Sequence, residues 1–146
     1  MTEREAIEAI LVHWEDEWEA LHPEDTSDPD CVPWYAGNEA HETSELGALG
    51  AWARINVIHT AAEQTTMGSA PSRKFERRGN IYVQLFAPID AGVQLRAELA
   101  DDVRTAMEGF RVDELRTYAG RTEEGVEDGV WSMAVVIVPF AYTDTR

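Results

Sequence analysis

A strand pattern followed closely by a helix pattern, between Gly79 and Phe110, constrains the fold of this chain more than any other feature. Aliphatic residues occupy every second position of segment 81–86, which is the period of a strand with two different faces. After Pro88 and Gly92, apolar residues recur three and four positions apart, which predicts an amphipathic helix. Because a helix with one apolar stripe must be buried against another element, we expect it to lie on one face of a sheet.

An N-terminal helix is also predicted. Thr2 and Glu5 have the spacing of a capping box, in which each side chain bonds the backbone N–H of the other residue. Apolar residues then continue at helical spacing to Leu21, before His22 and Pro23 end the helix. We expect this stripe to pack on the sheet. Its tryptophans leave a second interpretation open, a contact between subunits, because Trp is enriched at such surfaces.

The remaining patterns complete the predicted fold. Strands are predicted over 32–35, 52–59, 113–119 and 130–140, and connections or polar ends over 60–78, 120–129 and 141–146. The first of these strands is expected at an edge, because Pro33 has no N–H for a central ladder. The last is the most apolar and is expected to be central. We therefore predict one α+β domain, residues 1–146, with a mainly antiparallel sheet of about four to five strands and both helices on one face.

The predicted loop at about 60–78 contains the only cluster of basic residues in the chain. The cluster consists of Arg73, Lys74, Arg77 and Arg78. A connection this long between two strands is uncommon in a compact domain and is usually functional or mobile. These four residues are therefore candidate interaction residues, together with Trp34 and Tyr35 of the predicted edge strand. We expect the loop to become ordered on assembly against a neighbouring copy; contact with DNA and a solvated loop end are the alternatives.

The formal charge of −16 is unevenly distributed. Residues 1–45 contain 14 acidic residues against Arg4 alone, a net charge of −13, which leaves −3 for the rest of the chain. This charge argues against a protein that grips nucleic-acid backbones, because such binding depends on Lys and Arg. The acidic region is interpreted either as a solvated surface or as a surface that repels nucleic acid or meets a basic partner.

No pattern with catalytic or metal-binding spacing is found. The candidates are His13, His22, His41 and His59 for a metal, Asp25, Asp28 and Asp30 for calcium, and Cys31 for a nucleophile. The histidines share no ligand spacing, the aspartates lack the glycine and distal glutamate of a calcium loop, and the single cysteine has no histidine nearby. We therefore predict no catalytic residue, no metal and no cofactor. The lack of a signal-peptide pattern and of a long apolar run predicts a cytoplasmic protein without a membrane span.

Four segments carry a resemblance to a known family. They are the run Arg78–Pro88, Gly92, the run Leu99–Val103 and the run Val138–Phe140. Together they resemble the tail terminator family of long-tailed phages and gene-transfer particles, and an uncharacterised phage family placed with those terminators. The resemblance covers about residues 52–140. It implies a small α+β protein that forms a ring, hexameric in the family, on the last ring of the tail tube. There such a protein stops tube growth and provides the surface that the head connector binds.

The resemblance also implies partners and a location. The partners are further copies of the chain, the tail tube protein, the head-tail connector protein, and genomic DNA that passes through the lumen without sequence-specific binding. The protein is expected at the head-proximal end of the virion tail after assembly in the host cytoplasm, and not to be an enzyme. The alternatives are another head-tail joining or tail-completion protein of similar fold, an acidic DNA mimic that inhibits a DNA-handling protein, and a small metal-dependent enzyme.

Overall fold

The computed structural model describes residues 1–23, 31–37, 50–125 and 131–146. In chain order the elements are helix α1 (Glu3–Leu21), strands β1 (Trp34–Ala36), β2 (Trp52–Gln64) and β3 (Lys74–Pro88), helix α2 (Gly92–Met107), and strands β4 (Arg111–Val112), β5 (Leu115–Thr117), β6 (Arg121–Glu124) and β7 (Trp131–Thr145). A short 3₁₀ turn, Ile89–Ala91, leads from β3 into α2. Both helices pack on the same face of the sheet, so the chain has an α+β fold.

The sheet is organised around two long central strands. The strand order is β1-β2-β3-β7-β5-β4, and β6 also pairs with β7. β3 and β7 are antiparallel throughout, from Lys74 opposite Thr145 to Pro88 opposite Trp131. β1 alone pairs in parallel, with β2, so the sheet is mixed but mainly antiparallel. The central position of the last strand is confirmed. The seven strands exceed the predicted four to five, because β4 and β6 are short and carry no apolar alternation.

The core lies between the two helices and the sheet face that they cover. α1 contributes one buried residue per turn, and these residues are Ala6, Ile10, Trp14 and Trp18. The sheet contributes alternate residues of its central strands, chiefly Ile81, Val83, Leu85, Val136, Val138 and Phe140. The indole rings of Trp14 and Trp18 stack with their centroids 4.7 Å apart and are fully buried. These two tryptophans are therefore core residues, and the interpretation that they contact another subunit is wrong.

The predicted capping box begins α1. The Thr2 hydroxyl accepts a hydrogen bond from the Glu5 backbone N–H at 3.3 Å, and the Glu5 carboxylate accepts one from the Thr2 backbone N–H at 2.7 Å. The hydrogen bonds from Thr2, its backbone N–H first, lower the pKa of the Glu5 carboxyl. The start of the helix was thus predictable from two residues.

The predicted loop at 60–78 is wrong at both ends, and a connection remains only over residues 65–73. β2 continues to Gln64 and β3 begins at Lys74, so most of this segment forms the end of a long hairpin. The pairing passes an irregularity between His59 and Ala61 and then continues to Gln64 opposite Phe75. The segment lacks a strand pattern in the sequence because its residues are polar and mostly exposed, so no alternation of burial marks them.

Two further boundaries differ from the prediction. The polar tail 141–146 is wrong, because β7 continues to Thr145 and pairs with the start of β3. The predicted strand 113–119 shortens to β5, because Asp113 has a positive φ of 48° and starts a turn. The predicted connection 120–129 contains strand β6, and its residues 126–129 lie outside the described residues.

Candidate functional site

Strands β2, β3 and β7 extend past the helices as a three-stranded arm, which we define as residues 60–78 and 141–146. The N-terminus of α1 lies at the base of the arm, where the Met1 amino group donates to the Thr143 carbonyl at 3.2 Å. β3 has 15 residues and spans about 50 Å at about 3.3 Å per residue. α1 has 19 residues and spans only about 28 Å. α1 is therefore shorter than β3, and its N-terminus marks the base of the arm.

The predicted basic cluster lies on the arm, divided between its two faces. The guanidinium groups of Arg73 and Arg77 both lie 6.0 Å from the ring centroid of Phe75, so these three residues share one face. This face continues the one that the helices cover in the body of the domain. Lys74 and Arg78 lie on the opposite face, because side chains alternate along a strand. The four cations thus form two pairs and not a single patch.

A buried carboxylate fastens β7 to β3 within the arm. Oδ2 of Asp144 accepts hydrogen bonds from Nε of Arg77 at 2.9 Å and from Nε of Arg146 at 2.8 Å. The Asp144 side chain is only 3% exposed. One carboxylate therefore holds two guanidinium groups, and Arg73 adds a third positive charge to this face of the arm.

The opposite face of the arm is closer to electrical neutrality. Nε of Arg78 donates to Oε1 of Glu76 at 2.8 Å. The hydrogen bond and the charge of Glu76 raise the pKa of Arg78. Because this ion pair is exposed to solvent, it contributes little to stability, and its main effect is to cancel charge.

Helix α1 has the opposite charge to the arm. It carries seven carboxylates against Arg4, a net charge of −6. The side chains of the arm have five positive and three negative charges, a net charge of +2. The seven carboxylates of α1 are all exposed. The molecule thus presents an acidic helix on its body and a basic arm at one end.

A groove between α1 and β1 has an apolar floor and an acidic rim. Its floor is formed by Ile7, Leu11, Trp34 and Ala36, and its rim carries Val12, Glu3, Glu8 and Glu15 with Arg4. Val12 is 52% exposed although it is aliphatic. On the other side of α1 a second groove is lined by Val12, His13, Asp16, Phe110 and their neighbours. α1 therefore presents an apolar ridge with carboxylates on both sides.

The structure does not bring the two predicted aromatic residues to the basic cluster. Trp34 and Tyr35 lie on edge strand β1 opposite Ala53 and Arg54, at the start of β2. The tip of β2 is about ten residues further, or about 33 Å. Trp34 faces the groove and packs against the edge of Trp14 with a centroid distance of 6.4 Å. Tyr35 lies on the other sheet face, against Trp52 at 6.1 Å.

Three of the four histidines have hydrogen-bond partners that join separate elements. His13 Nε2 lies 2.8 Å from the Ala106 carbonyl, His22 Nε2 lies 2.8 Å from Asp102 Oδ2, and His59 Nε2 lies 2.9 Å from the Tyr142 hydroxyl. His41, Asp25, Asp28 and Asp30 lie outside the described residues. Among the residues that the structure describes, no three His, Cys, Asp or Glu side chains converge as metal ligands. No helix in the described ranges is long and apolar enough to cross a membrane.

Comparison with known proteins supports the fold of this chain. No family model matches the sequence, and no curated protein is significantly similar to it. A solved structure of a protein whose given name states no activity aligns with 100% of this chain and 99% of its own chain, with a TM-score of 0.65 and 14% sequence identity. At this identity the likeness concerns the fold alone.

Sequence reasoning missed three residues of the arm. Phe75 lies between the cations, and Asp144 and Arg146, which belong to the predicted polar tail 141–146, form an ion pair in which Asp144 also binds Arg77. A signal was present, because Arg73, Phe75 and Arg77 occupy every second position, as they would in a strand. The groove on α1 was harder to predict from the sequence. Its one indication is Val12, an aliphatic residue on the polar side of the helix.

Proposed function

We propose that this protein is a tail terminator of a phage or a gene-transfer particle. In this role several copies, six if the family stoichiometry holds, form a ring at the head-proximal end of the tail tube. The ring stops growth of the tube and provides the surface for the head connector. The protein acts through shape and repeated contact with its own copies, and not as an enzyme.

The observation that carries the proposal is the opposite charge of two different surfaces, the arm and helix α1. A closed ring is built from one heterologous contact, in which two different surfaces of each copy meet. Complementary potentials on such surfaces steer the encounter and fix its register. The sequence resemblance to tail terminators supports the same assembly.

The charge of the chain also suits a ring around DNA. Phosphates are repelled by uncompensated carboxylates, so an acidic surface toward the lumen would let the genome pass without binding. The tail tube protein and the head-tail connector are the further partners that this position requires. Another head-tail joining protein of similar fold would share these properties, and only its place in the particle distinguishes it.

Imaging the tagged protein in its particle tests the proposal. A gold label on a tag should mark the junction of head and tail in electron micrographs. Deletion of the gene should give tubes of irregular, excessive length and heads without tails, and the wild-type gene supplied in trans should restore both. A label along the tube shaft, or particles that assemble normally after deletion, would contradict the proposal. Tight binding to a DNA-handling enzyme by protein absent from particles would favour the DNA mimic instead.

A further inference from the structure

We infer that the groove between α1 and β1 receives the arm of a second copy of this chain, by the arm face that carries Phe75. This inference rests on the proposed ring assembly and names the two surfaces that form its repeated contact. The groove and the arm face are different surfaces, so the contact is heterologous. An open chain of copies then has a free groove at one end and a free arm face at the other, until the chain closes into a ring.

On β2 and β3 the arm face has no covering helix of its own copy. In the body of the domain this sheet face is buried by α1 and α2, and its residues are apolar. Beyond the N-terminus of α1 the same face continues with Ala62, Phe75 and Arg77, which are exposed or half-buried, whereas Tyr142 and Asp144 beside them on β7 are buried. The accessible part of the arm face is therefore its β2 and β3 side. A helix of a neighbouring copy laid on this face would continue the packing of helix on sheet that builds the domain.

The arm face and the groove are also chemically complementary. The arm face presents one aromatic ring between two guanidinium groups, each 6.0 Å from the ring centroid. The groove presents an apolar floor, which includes Leu11 and Trp34, between glutamates, with Val12 at its edge. Phe75 would enter the floor while Arg73 and Arg77 meet the carboxylates of the rim, among them Glu15. Guanidinium groups suit this contact, because they pair with carboxylates in a planar, bidentate geometry.

Cross-linking between two single-cysteine proteins tests the contact. Cys31 is the only cysteine, so Cys31→Ser provides a clean background. One protein then carries Ala62→Cys on the arm, and the other carries Val12→Cys in the groove. The matched control is Ala61→Cys, because Ala61 and Ala62 are adjacent, exposed, and paired with Arg78 and Arg77 on opposite faces.

With a short thiol cross-linker, the Ala62→Cys and Val12→Cys proteins should form mixed dimers in at least about tenfold greater yield than the control pair, since only one face of the arm docks. Equal yields from the two pairs, or no mixed dimer at any concentration, would overturn the inference.

A charge reversal in the groove provides the second measurement. Glu15→Lys should reduce the cross-linking yield about tenfold, because like charges would then face each other across the contact. Asp16→Lys is the matched control, since Asp16 is the next residue but lines the other groove. Adding Arg73→Glu to the arm protein should restore the yield with Glu15→Lys. If Glu15→Lys and Asp16→Lys reduce the yield equally, the groove is not the docking site. The same conclusion follows if Arg73→Glu fails to restore the yield with Glu15→Lys.

Failure of this inference is distinct from failure of the proposed function. Label at the head-tail junction with equal cross-linking of both arm faces would leave the tail terminator function intact and refute the docking. Specific cross-linking of Ala62→Cys with Val12→Cys, without label on particles, would support the docking and refute the function.

Discussion

Removal of the buried charge in the arm should destabilise the protein measurably. Asp144 holds Arg77 and Arg146 through one oxygen, and its side chain is 3% exposed. Breaking a fully buried ion pair by removing one partner costs about 3–5 kcal/mol. Here the arginine side chains are 25% and 57% exposed, so water can solvate the donors that lose their partner. We therefore expect Asp144→Asn to lower the free energy of unfolding by about 2 kcal/mol.

The measurement is equilibrium unfolding in urea, with the slope of the transition checked against wild type so that only stability differs. For a chain of this size a loss of this magnitude lowers the melting temperature by about 6 °C. Asp16→Asn is the control, because it removes an exposed carboxylate from α1 and should change stability by less than about 0.5 kcal/mol. If Asp144→Asn also changes stability by less than about 0.5 kcal/mol, the carboxylate of Asp144 does not fasten β7 to β3.

Two further predictions follow from the same strands. Gly79→Ala would place a Cβ 2.3 Å from the Ile58 carbonyl oxygen and 2.5 Å from the Phe140 ring, so we expect a loss of about 1–3 kcal/mol in urea unfolding. Gly68→Ala, whose nearest atom would be at 3.6 Å, should be nearly neutral, and equal losses would contradict the steric argument. Burial raises the pKa of Tyr142 above its ordinary value of about 10. The folded state favours the neutral phenol, so this contribution to stability is complete below about pH 10 and is lost as pH rises through the folded pKa. The free energy of unfolding should therefore fall less for Tyr142→Phe than for wild type between pH 9 and pH 11. An equal fall in both proteins would contradict the raised pKa of Tyr142.

The elements that bury an apolar face could be predicted from the sequence. α1, α2 and the central strands are each marked by a period of apolar residues, because each packs against another element of the same chain. The arm could not be predicted in this way. Its β2 and β3 strands lie where the chain provides no covering helix, so their residues are mostly polar and show no alternation of burial. In β7 Tyr142 and Asp144 are buried, but Asp144 is polar, so no apolar period marks the end of this strand. The same cause explains the predicted loop at 60–78 and the predicted tail at 141–146.

The candidate site was predicted only in part for a related reason. The four basic residues were found as a cluster in sequence, but a strand separates neighbours to opposite faces, so Arg73 and Lys74 point away from each other. Trp34 and Tyr35 are predicted as interaction residues as well, but β1 pairs with the opposite end of β2. Proximity in sequence therefore identified the residues but not the surface that they form, which also needs Phe75 and Asp144.

The stiffness of the arm decides whether its charge is neutralised within one copy or between copies. The base of the arm lies close to the acidic helix, since Glu3 is 3.6 Å from His59. A flexible arm would fold back onto α1 of the same copy. However, β3 and β7 pair in unbroken register to the end of the arm, and the one irregularity lies in β2. Asp144 adds a charged fastening between them. Bending this sheet back onto α1 of the same copy would break ladder hydrogen bonds, which supports the inference that the basic face docks on another copy.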